Sequence, residues 1–386
     1  MNGRAGLRRR APALAGMLTS AILLVGLGLP GGALAATTTA TFETPTGTFV
    51  FGTSITFNQV VTLTAVPRRA ELLLTEPGSI GPSAIQVPTP ATGQQTLTNV
   101  IKISDGHVYP NTTFQARWRI TDTDGSQELG PSISLTYSDT RFDWKTKPGP
   151  IVRVHWYNGD DAFGARALAI GEKGIANAAA LLGVTETEPV DFFIYDSTAP
   201  FYDALGPGTR ENVGGEANAQ IRTLFALITP DEINASWVGT VIPHELTHLV
   251  FNTATENPYH SPPRWLNEGL AVYLSEGYTA DWRSTVSSAV SSGGVIPLDG
   301  LVGQFPTTAD QFALAYGESV SAVDFMIRTY GQPALVKLVR SYAGGVSDDE
   351  AFEAALGVDT VGLNSAWLRD LGVQPPKAYG PQPAPA

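Results

Sequence analysis

The chain of 386 residues contains no cysteine. This absence excludes disulfide bonds, thiolate metal sites, a cysteine nucleophile and a lipid attached to an N-terminal cysteine. Basic side chains are also scarce, because 24 lysines and arginines stand against 36 aspartates and glutamates and give a net charge of −12. So negative a chain is poorly suited to bind nucleic acid or an anionic membrane surface. Histidine occurs only five times, so each histidine can be examined as a metal ligand.

The length predicts two domains of ordinary size, each large enough for its own core. The chain has 40 glycines and 28 prolines. That share is above the average for globular proteins but below that of disordered low-complexity chains. The composition therefore predicts a globular protein rich in loops.

The first 35 residues are organised like an export signal. Four arginines and no acidic residue lie within residues 1–10, an apolar stretch follows, and Ala33-Leu34-Ala35 closes the segment. This order predicts a signal peptide over 1–35, cleaved near Ala35–Ala36, and hence a secreted, extracytoplasmic protein with a net charge of −16. An uncleaved membrane anchor is the alternative, but Pro30 and the small residues favour cleavage. No later segment is long and apolar enough to span a bilayer, so we expect no stable membrane insertion after cleavage.

Residues 36–145 show short runs of alternating or β-branched residues, separated by glycine, proline, aspartate and asparagine clusters at intervals of roughly 8–12 residues. This spacing predicts an all-β sandwich, which we interpret as an accessory domain because it contains no catalytic constellation. The expected strands lie at residues 48–51, 55–61, 70–73, 114–120 and 132–137.

The pattern changes after a join over residues 142–150. Strands are expected at 151–157, 190–195 and 219–228, with a helix over 161–182 that ends at Gly183. Further helices are expected at about 236–255, 264–277, 309–330, 332–343, 348–356 and 360–371. Strands followed by helices predict an α+β domain over 150–372 with a helical C-terminal half. The proline-rich tail, 375–386, is predicted to be disordered.

A sequence of five residues, His-Glu-Leu-Thr-His, begins at His244. Helical residues four apart lie on one face, about 6 Å apart along the axis, so His244 and His248 can be directed at one point. Neutral imidazoles suit Zn²⁺, and two of them leave room for a third protein ligand and a water. Glu245 lies on the adjacent flank, where it can take a proton from that water. Pro243 implies either a helix that starts near Thr240 or a longer helix that bends.

The third ligand is expected on a second helix, where Glu268 follows His248 with 19 residues between them. A carboxylate completes a set of two histidines and one glutamate, which is typical of an open catalytic zinc site. Asn267 is placed to hydrogen-bond a ligand imidazole from outside the metal shell. The predicted cofactor is therefore one Zn²⁺ per chain.

The combination of His244-Glu245-x-x-His248 with Asn267-Glu268-Gly269-Leu270-Ala271 resembles the gluzincin metallopeptidases. These form the peptidase-MA-like superfamily, which includes thermolysin-like and aminopeptidase-N-like enzymes. The resemblance covers roughly residues 150–372. It implies a zincin-like fold, a peptide or protein substrate and hydrolysis by a zinc-activated water with Glu245 as general base.

The same resemblance implies two further assignments. The family holds the oxyanion of the reaction with a tyrosine or histidine from a later helix, and because no histidine follows His260, Tyr316 is the expected residue. Aminopeptidases N carry a glutamate-containing strand that binds the substrate's free amine, and Gly214-Gly215-Glu216-Ala217-Asn218 resembles it in altered order. Glu216 and Asn218 are therefore candidate substrate-binding residues, and residues 214–228 are interpreted more broadly as an edge strand that binds substrate backbone.

Two other functions stay open at the level of sequence. One is a catalytically silent protein that binds metal and acts as an extracellular binding module. The other is a metallohydrolase that does not cleave peptides. A protein that only binds metal would have no reason to keep Glu245, because this residue is not a metal ligand. Its presence therefore argues against a catalytically silent protein. The sequence does not distinguish endopeptidase from aminopeptidase action. His155 is expected to be a hydrogen-bonded core histidine, and His260 to lie in the loop before Glu268.

Overall fold

The computed structural model describes residues 39–207 and 214–375. The predicted signal peptide and all of the predicted tail except Pro375 lie outside these ranges. Within them, the structure has an N-terminal region of sheets and a helical C-terminal half, in agreement with the predicted order. Among the helices so described, none combines the length and the apolar character needed to cross a membrane.

The N-terminal region consists of two antiparallel sheets of four strands. In the first, β3 pairs with β1 and β2 along one edge and with β6 along the other. The second has the order β5-β4-β7-β8. The strands are β1 (Ala40–Phe42), β2 (Thr46–Val50), β3 (Ser54–Leu63), β4 (Arg69–Thr75), β5 (Ser83–Val87), β6 (Gly93–Lys102), β7 (Thr112–Thr121) and β8 (Gln127–Tyr137).

Both sheets contribute side chains to one hydrophobic cluster. Phe57 of β3 is fully buried against Phe114 of β7, and Leu72 and Trp118 from the second sheet are also fully buried. Alternate residues of β3 and β7 face this cluster, as the two-residue period of a strand requires. β6 was not predicted, because Leu97 is its only buried residue and its pattern is mostly polar.

The C-terminal region is built on a mixed sheet with the order β12-β13-β11-β10-β9. The inner strands β13, β11 and β10 are parallel, and an antiparallel strand lies at each edge. Its elements are β9 (Lys145–Pro148), β10 (Val152–Trp156), α1 (Asp161–Leu182), β11 (Val190–Tyr195), α2 (Thr198–Leu205), β12 (Gly215–Asn218), β13 (Thr223–Leu227), α3 (Val238–Thr255), α4 (Arg264–Ser275), α5 (Ala280–Ser292), α6 (Ala309–Tyr330), α7 (Gln332–Ser341), α8 (Asp348–Leu356) and α9 (Thr360–Asp370).

The two faces of this sheet have different coverings. On one face, Phe192 and Leu224 belong to the large core that also contains Leu246 of α3. On the other face, Tyr195 and Phe225 join a smaller aromatic cluster against α2. The alternation of side chains along β11 and β13 therefore separates a helical face from an aromatic face.

The segment predicted as the join between domains is part of the sheet instead. Lys145–Pro148 forms β9 and pairs with β10. Trp144 packs on the aromatic face, with its ring centroid 5.2 Å from that of Tyr195.

Two helices, α2 and α5, were also not predicted. In α5 only Val286 and Ala289 are buried, so its apolar stripe is too short to be recognised.

Glycines allow the helices around the site to approach closely. A Cβ at Gly174 of α1 would lie 3.1 Å from Cα of Pro243 on α3. A Cβ at Gly269 of α4 would collide with the backbone carbonyl of Ser319 on α6. The close packing of α1 on α3 and of α4 on α6 thus depends on glycine, which has no side chain. This packing fixes the positions of α3 and α4, which carry the motif residues.

Candidate metal centre

The helix that carries the histidine motif begins before its proline. α3 starts at Val238 and includes Pro243, so of the two possibilities the longer helix occurs. Thr247 donates its hydroxyl to the carbonyl of Pro243 at 2.8 Å. One turn apart on this helix, the rings of His244 and His248 have centroids separated by 5.0 Å.

Glu268 of α4 completes a cluster with the two histidines. Its Oε2 lies 3.5 Å from Nε2 of His244 and 3.5 Å from Nε2 of His248. One ligand atom from each of the three residues lies within 4.8 Å of the others. Ligand atoms at ~2.1 Å from a tetrahedral zinc are separated by about 3.4 Å, so the spacing fits zinc.

The hydrogen bonding of Glu268 also fits a metal. Oε2 is buried and has no hydrogen-bond partner within the described residues. A buried carboxylate oxygen without a partner is costly. A cation bound between this oxygen and the two imidazoles would supply the missing partner. The donor set of two nitrogens and one carboxylate oxygen is one that Zn²⁺ prefers.

Asn267 is placed as predicted, next to the ligand imidazole. Its Oδ1 accepts a hydrogen bond from Nδ1 of His248 at 2.9 Å. An amide oxygen only accepts, so this contact puts the imidazole proton on Nδ1 and leaves Nε2 free for a metal.

Arg264 was not singled out from the sequence, yet it holds the other oxygen of Glu268. Its Nε and Nη2 each donate to Oε1 of Glu268 at 3.1 Å. Burial alone would raise the pKa of Glu268, but the nearby imidazoles of His244 and His248 and the charge of Arg264 lower it to about 2. The carboxylate is therefore ionised and turns one oxygen toward the histidines. The spacing of four residues between Arg264 and Glu268 was the available sequence signal.

Glu245 lies beside the cluster on the same helix as the histidines. Its Oε2 accepts a hydrogen bond from the backbone N–H of Ala217 in β12 at 3.1 Å. A Cβ at Gly215 would lie 3.1 Å from Cγ of Glu245, so β12 packs directly against this side chain. Burial raises the pKa of Glu245 to about 7, although the charge of His248 opposes the shift. A carboxyl group with a pKa near the working pH is suited to accept and return a proton.

Tyr316 on α6 lies near His244. Its ring centroid is 6.1 Å from that of His244. Burial raises the pKa of its hydroxyl, and the neighbouring charge of Glu268 raises it further. The hydroxyl therefore stays protonated at neutral pH and can act as a hydrogen-bond donor.

A family model described as "Peptidase MA superfamily" matches residues 170–372, more than half of the chain. The chain belongs to the peptidase MA superfamily. Its enzyme class is accordingly that of a zinc metallopeptidase, a hydrolase, as the sequence resemblance implied. The matched range contains all three residues of the histidine–glutamate cluster.

Two solved structures resemble this peptidase MA chain over most of its length. An aminopeptidase N family protein from Idiomarina loihiensis is 12% identical, with a TM-score of 0.44, over 85% of this chain and 75% of that chain. An M1 zinc metallopeptidase from Deinococcus radiodurans is 13% identical, with a TM-score of 0.38, over 86% of this chain and 92% of that chain. Both TM-scores are below 0.5, so the assignment rests on the family model. A search of curated proteins gave no match.

The structure gives the two candidate substrate-binding residues other partners. Oε1 of Glu216 accepts a hydrogen bond from the hydroxyl of Tyr109 at 2.8 Å. Oδ1 of Asn218 accepts from the backbone N–H groups of Gln220 and Ile221, in the turn after β12. Within the described residues no hydrogen bond joins either side chain to the histidine–glutamate cluster. Their role in binding substrate stays a prediction.

A cavity of about 300 Å³ opens beside the cluster. His248 and Glu268 line one side, and Ala217 and Ala219, in and just after the edge strand β12, line another. Its remaining lining comes from the end of α3, the loop after it and the start of α4: Phe251, Asn252, Thr255, Ser261, Pro262 and Asn267. The cavity therefore lies between the cluster and β12, which is an edge strand of this sheet within the described residues.

The three remaining histidines are hydrogen-bonded away from the cluster, and Nε2 of His107 lies 3.0 Å from the carbonyl of Ala204. His155 contacts Oδ1 of Asp191 at 2.8 Å and stacks on Phe193, as expected for a core histidine. His260 contacts Oδ1 of Asp348 at 3.0 Å. Each of these three histidines therefore has a hydrogen-bond partner outside the cluster.

Proposed function

We propose that the mature chain is a secreted zinc-dependent peptidase in which Glu245 is the general base. One observation supports the proposal most strongly. Oε2 of Glu268 is a buried carboxylate oxygen with no hydrogen-bond partner within the described residues, and it lies 3.5 Å from Nε2 of both His244 and His248. His244, His248 and Glu268 would hold the zinc, and Asn267 would orient His248 from behind.

The chemistry divides between the metal and the side chains. When bound, zinc acts as a Lewis acid that polarises the peptide carbonyl and lowers the pKa of water to about 7. Glu245 takes the proton of the attacking water and passes it to the leaving amine. The Ala217 amide holds the carboxylate of Glu245 for both transfers.

Tyr316 is proposed to stabilise the developing oxyanion. Its hydroxyl is protonated, and its ring lies beside that of His244. One preorganised donor of this kind typically contributes ~10²–10³ in rate. The substrate backbone is proposed to lie along the free edge of β12, where Glu216 and Asn218 are the candidate contacts.

The proposed organisation has four parts. These are a signal peptide at 1–35, a β-sandwich accessory domain predicted at 36–145, the peptidase domain predicted at 150–372, which β9 (Lys145–Pro148) extends toward the N-terminus, and a proline-rich tail at 375–386 that lies outside the described residues except for Pro375. The accessory domain is supported by the hydrophobic cluster that its two antiparallel sheets share. Secretion is supported by the arginine-rich start, the apolar stretch and the Ala33-Leu34-Ala35 cleavage signal.

Incubation with a mixed peptide library tests the proposed activity. The mature chain is loaded with one equivalent of zinc, and cut positions are mapped by mass spectrometry with and without a chelator. We expect chelator-sensitive cleavage, and the positions distinguish endopeptidase from aminopeptidase action. Zinc binding without any cleavage would favour the silent binding module or a non-proteolytic hydrolase.

A further inference from the structure

One segment of the β region, His107–Asn111, contacts the peptidase region with every second residue. His107, Tyr109 and Asn111 face the peptidase region, whereas Val108 packs against the core of the β region. We call residues 107–111 the docking segment.

The three contacts of the docking segment end on different elements. His107 Nε2 contacts the carbonyl of Ala204 at 3.0 Å, at the end of α2. Nδ2 of Asn111 donates to Asp191 and to Thr223, each at 2.9 Å, on β11 and β13. Only the hydroxyl of Tyr109 has its partner on β12, namely Glu216.

Tyr109 is held against the sheet in a defined orientation. Its ring stacks on that of Phe225, with a centroid distance of 6.1 Å and an interplanar angle of 27°. Phe225 pairs with Glu216 in the β12–β13 ladder. The stacked ring therefore places the hydroxyl of Tyr109 beside the carboxylate of Glu216.

The next residue of β12 reaches the opposite face of the sheet. Ala217 follows Glu216, and its N–H donates to Oε2 of Glu245. β12 has four residues, and its one ladder partner among the described strands is β13. An edge strand this short depends on side-chain contacts to fix its position. Glu216 is the residue that anchors it from the side of the β region.

We propose that Tyr109 is a positioning residue for the peptidase reaction: it anchors β12 through Glu216, so that the Ala217 amide holds the carboxylate of Glu245. The β region then contributes to catalysis without touching substrate. This inference rests on the proposed role of Glu245. It gives the β region a task that the histidine–glutamate motif does not reveal.

Kinetics of full-length mature variants test the proposal. Tyr109→Phe keeps the ring on Phe225 but removes the hydroxyl, and we expect kcat to fall about five- to tenfold with KM and zinc content nearly unchanged. Glu216→Ala should give a similar loss, and the double variant should lose no more than either single variant. Glu216→Gln keeps an oxygen acceptor for Tyr109 and should lose less than Glu216→Ala.

Asn111→Gly is the matched control in the same segment. It removes both hydrogen bonds of the Asn111 side chain, and glycine tolerates the backbone φ of 71° found there. Neither of these hydrogen bonds ends on β12, so kcat of the variant should stay at the wild-type value even if its thermal stability falls. A wild-type kcat for Tyr109→Phe, or additive losses in the double variant, would overturn the proposal.

Hydrogen–deuterium exchange of residues 214–218 tests the same contact without any activity. Exchange should be faster in Tyr109→Phe than in Asn111→Gly or the wild type. Equal exchange in all three would overturn the proposal even if the enzyme is active. Faster exchange in a chain that cleaves no peptide would support the positioning contact and refute the proposed function instead.

Discussion

Arg264 bonds Oε1 of Glu268 with two nitrogens, each at 3.1 Å, and leaves Oε2 facing His244 and His248. The arginine thereby determines which carboxylate oxygen is available to a metal. It also compensates part of the negative charge of a nearly buried ligand.

The first prediction concerns this pair. Arg264→Gln should weaken zinc binding about 10–100-fold, because Glu268 loses the contact that orients it. Competition against a chromophoric chelator measures the affinity. Arg328→Gln is the control, since Arg328 also pairs with an acid four residues away, Asp324, but outside the site. Equal affinities for the two variants would show that Arg264 does not orient the ligand.

The second prediction concerns the close contact between β12 and Glu245. Gly215→Ala would place a Cβ 3.1 Å from Cγ of Glu245 and 3.2 Å from Cγ1 of Val241. We expect kcat to fall about tenfold, since displacement of a catalytic group by a fraction of an ångström is costly, while zinc content is retained. Gly214→Ala is the control, because its Cβ would have nothing closer than 3.7 Å. If both substitutions leave kcat intact, the packing of β12 does not position Glu245.

The third prediction concerns the effect of zinc on stability. Because zinc binds the folded chain and satisfies Oε2 of Glu268, a zinc concentration of about 100 Kd should add about 2.7 kcal/mol to the free energy of unfolding. Calorimetry with added zinc, and after chelation, measures the change in Tm. Glu268→Gln should show a much smaller zinc-dependent shift. If the Tm of the wild type is the same with zinc and after chelation, this result would argue against a metal at this cluster.

The fourth prediction concerns Glu318 on α6, which is fully buried and does not belong to the histidine–glutamate cluster. Its Oε1 accepts from the backbone N–H of Ile296, while Oε2 has no partner within the described residues. Burial raises its pKa from 4.5 to about 8. Between these values the folded chain keeps a proton that the unfolded chain loses, so this group makes stability fall as pH rises.

Glu318→Gln removes that titration but keeps the acceptor for Ile296. The stability of the variant relative to wild type should therefore increase from pH 5 to pH 8, by at most about 1.4 kcal/mol per pH unit. Urea unfolding of the zinc-free proteins at several pH values measures this difference. A difference that does not change with pH would contradict the raised pKa.

Local sequence spacing was sufficient to predict that the two histidines and the glutamate lie together. His244, His248 and Glu268 meet because helical periodicity and one loop length determine their separation. Helix α1 was also predicted with its bounds, since Gly183 ends it in a left-handed conformation, with φ of 63°. In both cases, the residues that allow the prediction lie within a few helical turns of one another or are separated by a single loop.

Contacts between distant segments could not be predicted in the same way. Tyr109 and Glu216 are 107 residues apart, and nothing in either local pattern indicates the other. β9 was assigned to the join because Lys145–Pro148 is polar and short, and only its ladder with β10 makes it a strand. The partners of Glu216 and Asn218 likewise depend on tertiary packing.

The most direct test of the account is turnover by Glu245→Gln in its zinc-loaded form. The amide cannot accept the proton of water, and it does not belong to the candidate ligand set. We predict one zinc per chain, as in the wild type, and a loss of peptide hydrolysis of about 10²–10⁴-fold. Full peptidase activity of this variant at normal zinc content would contradict the account.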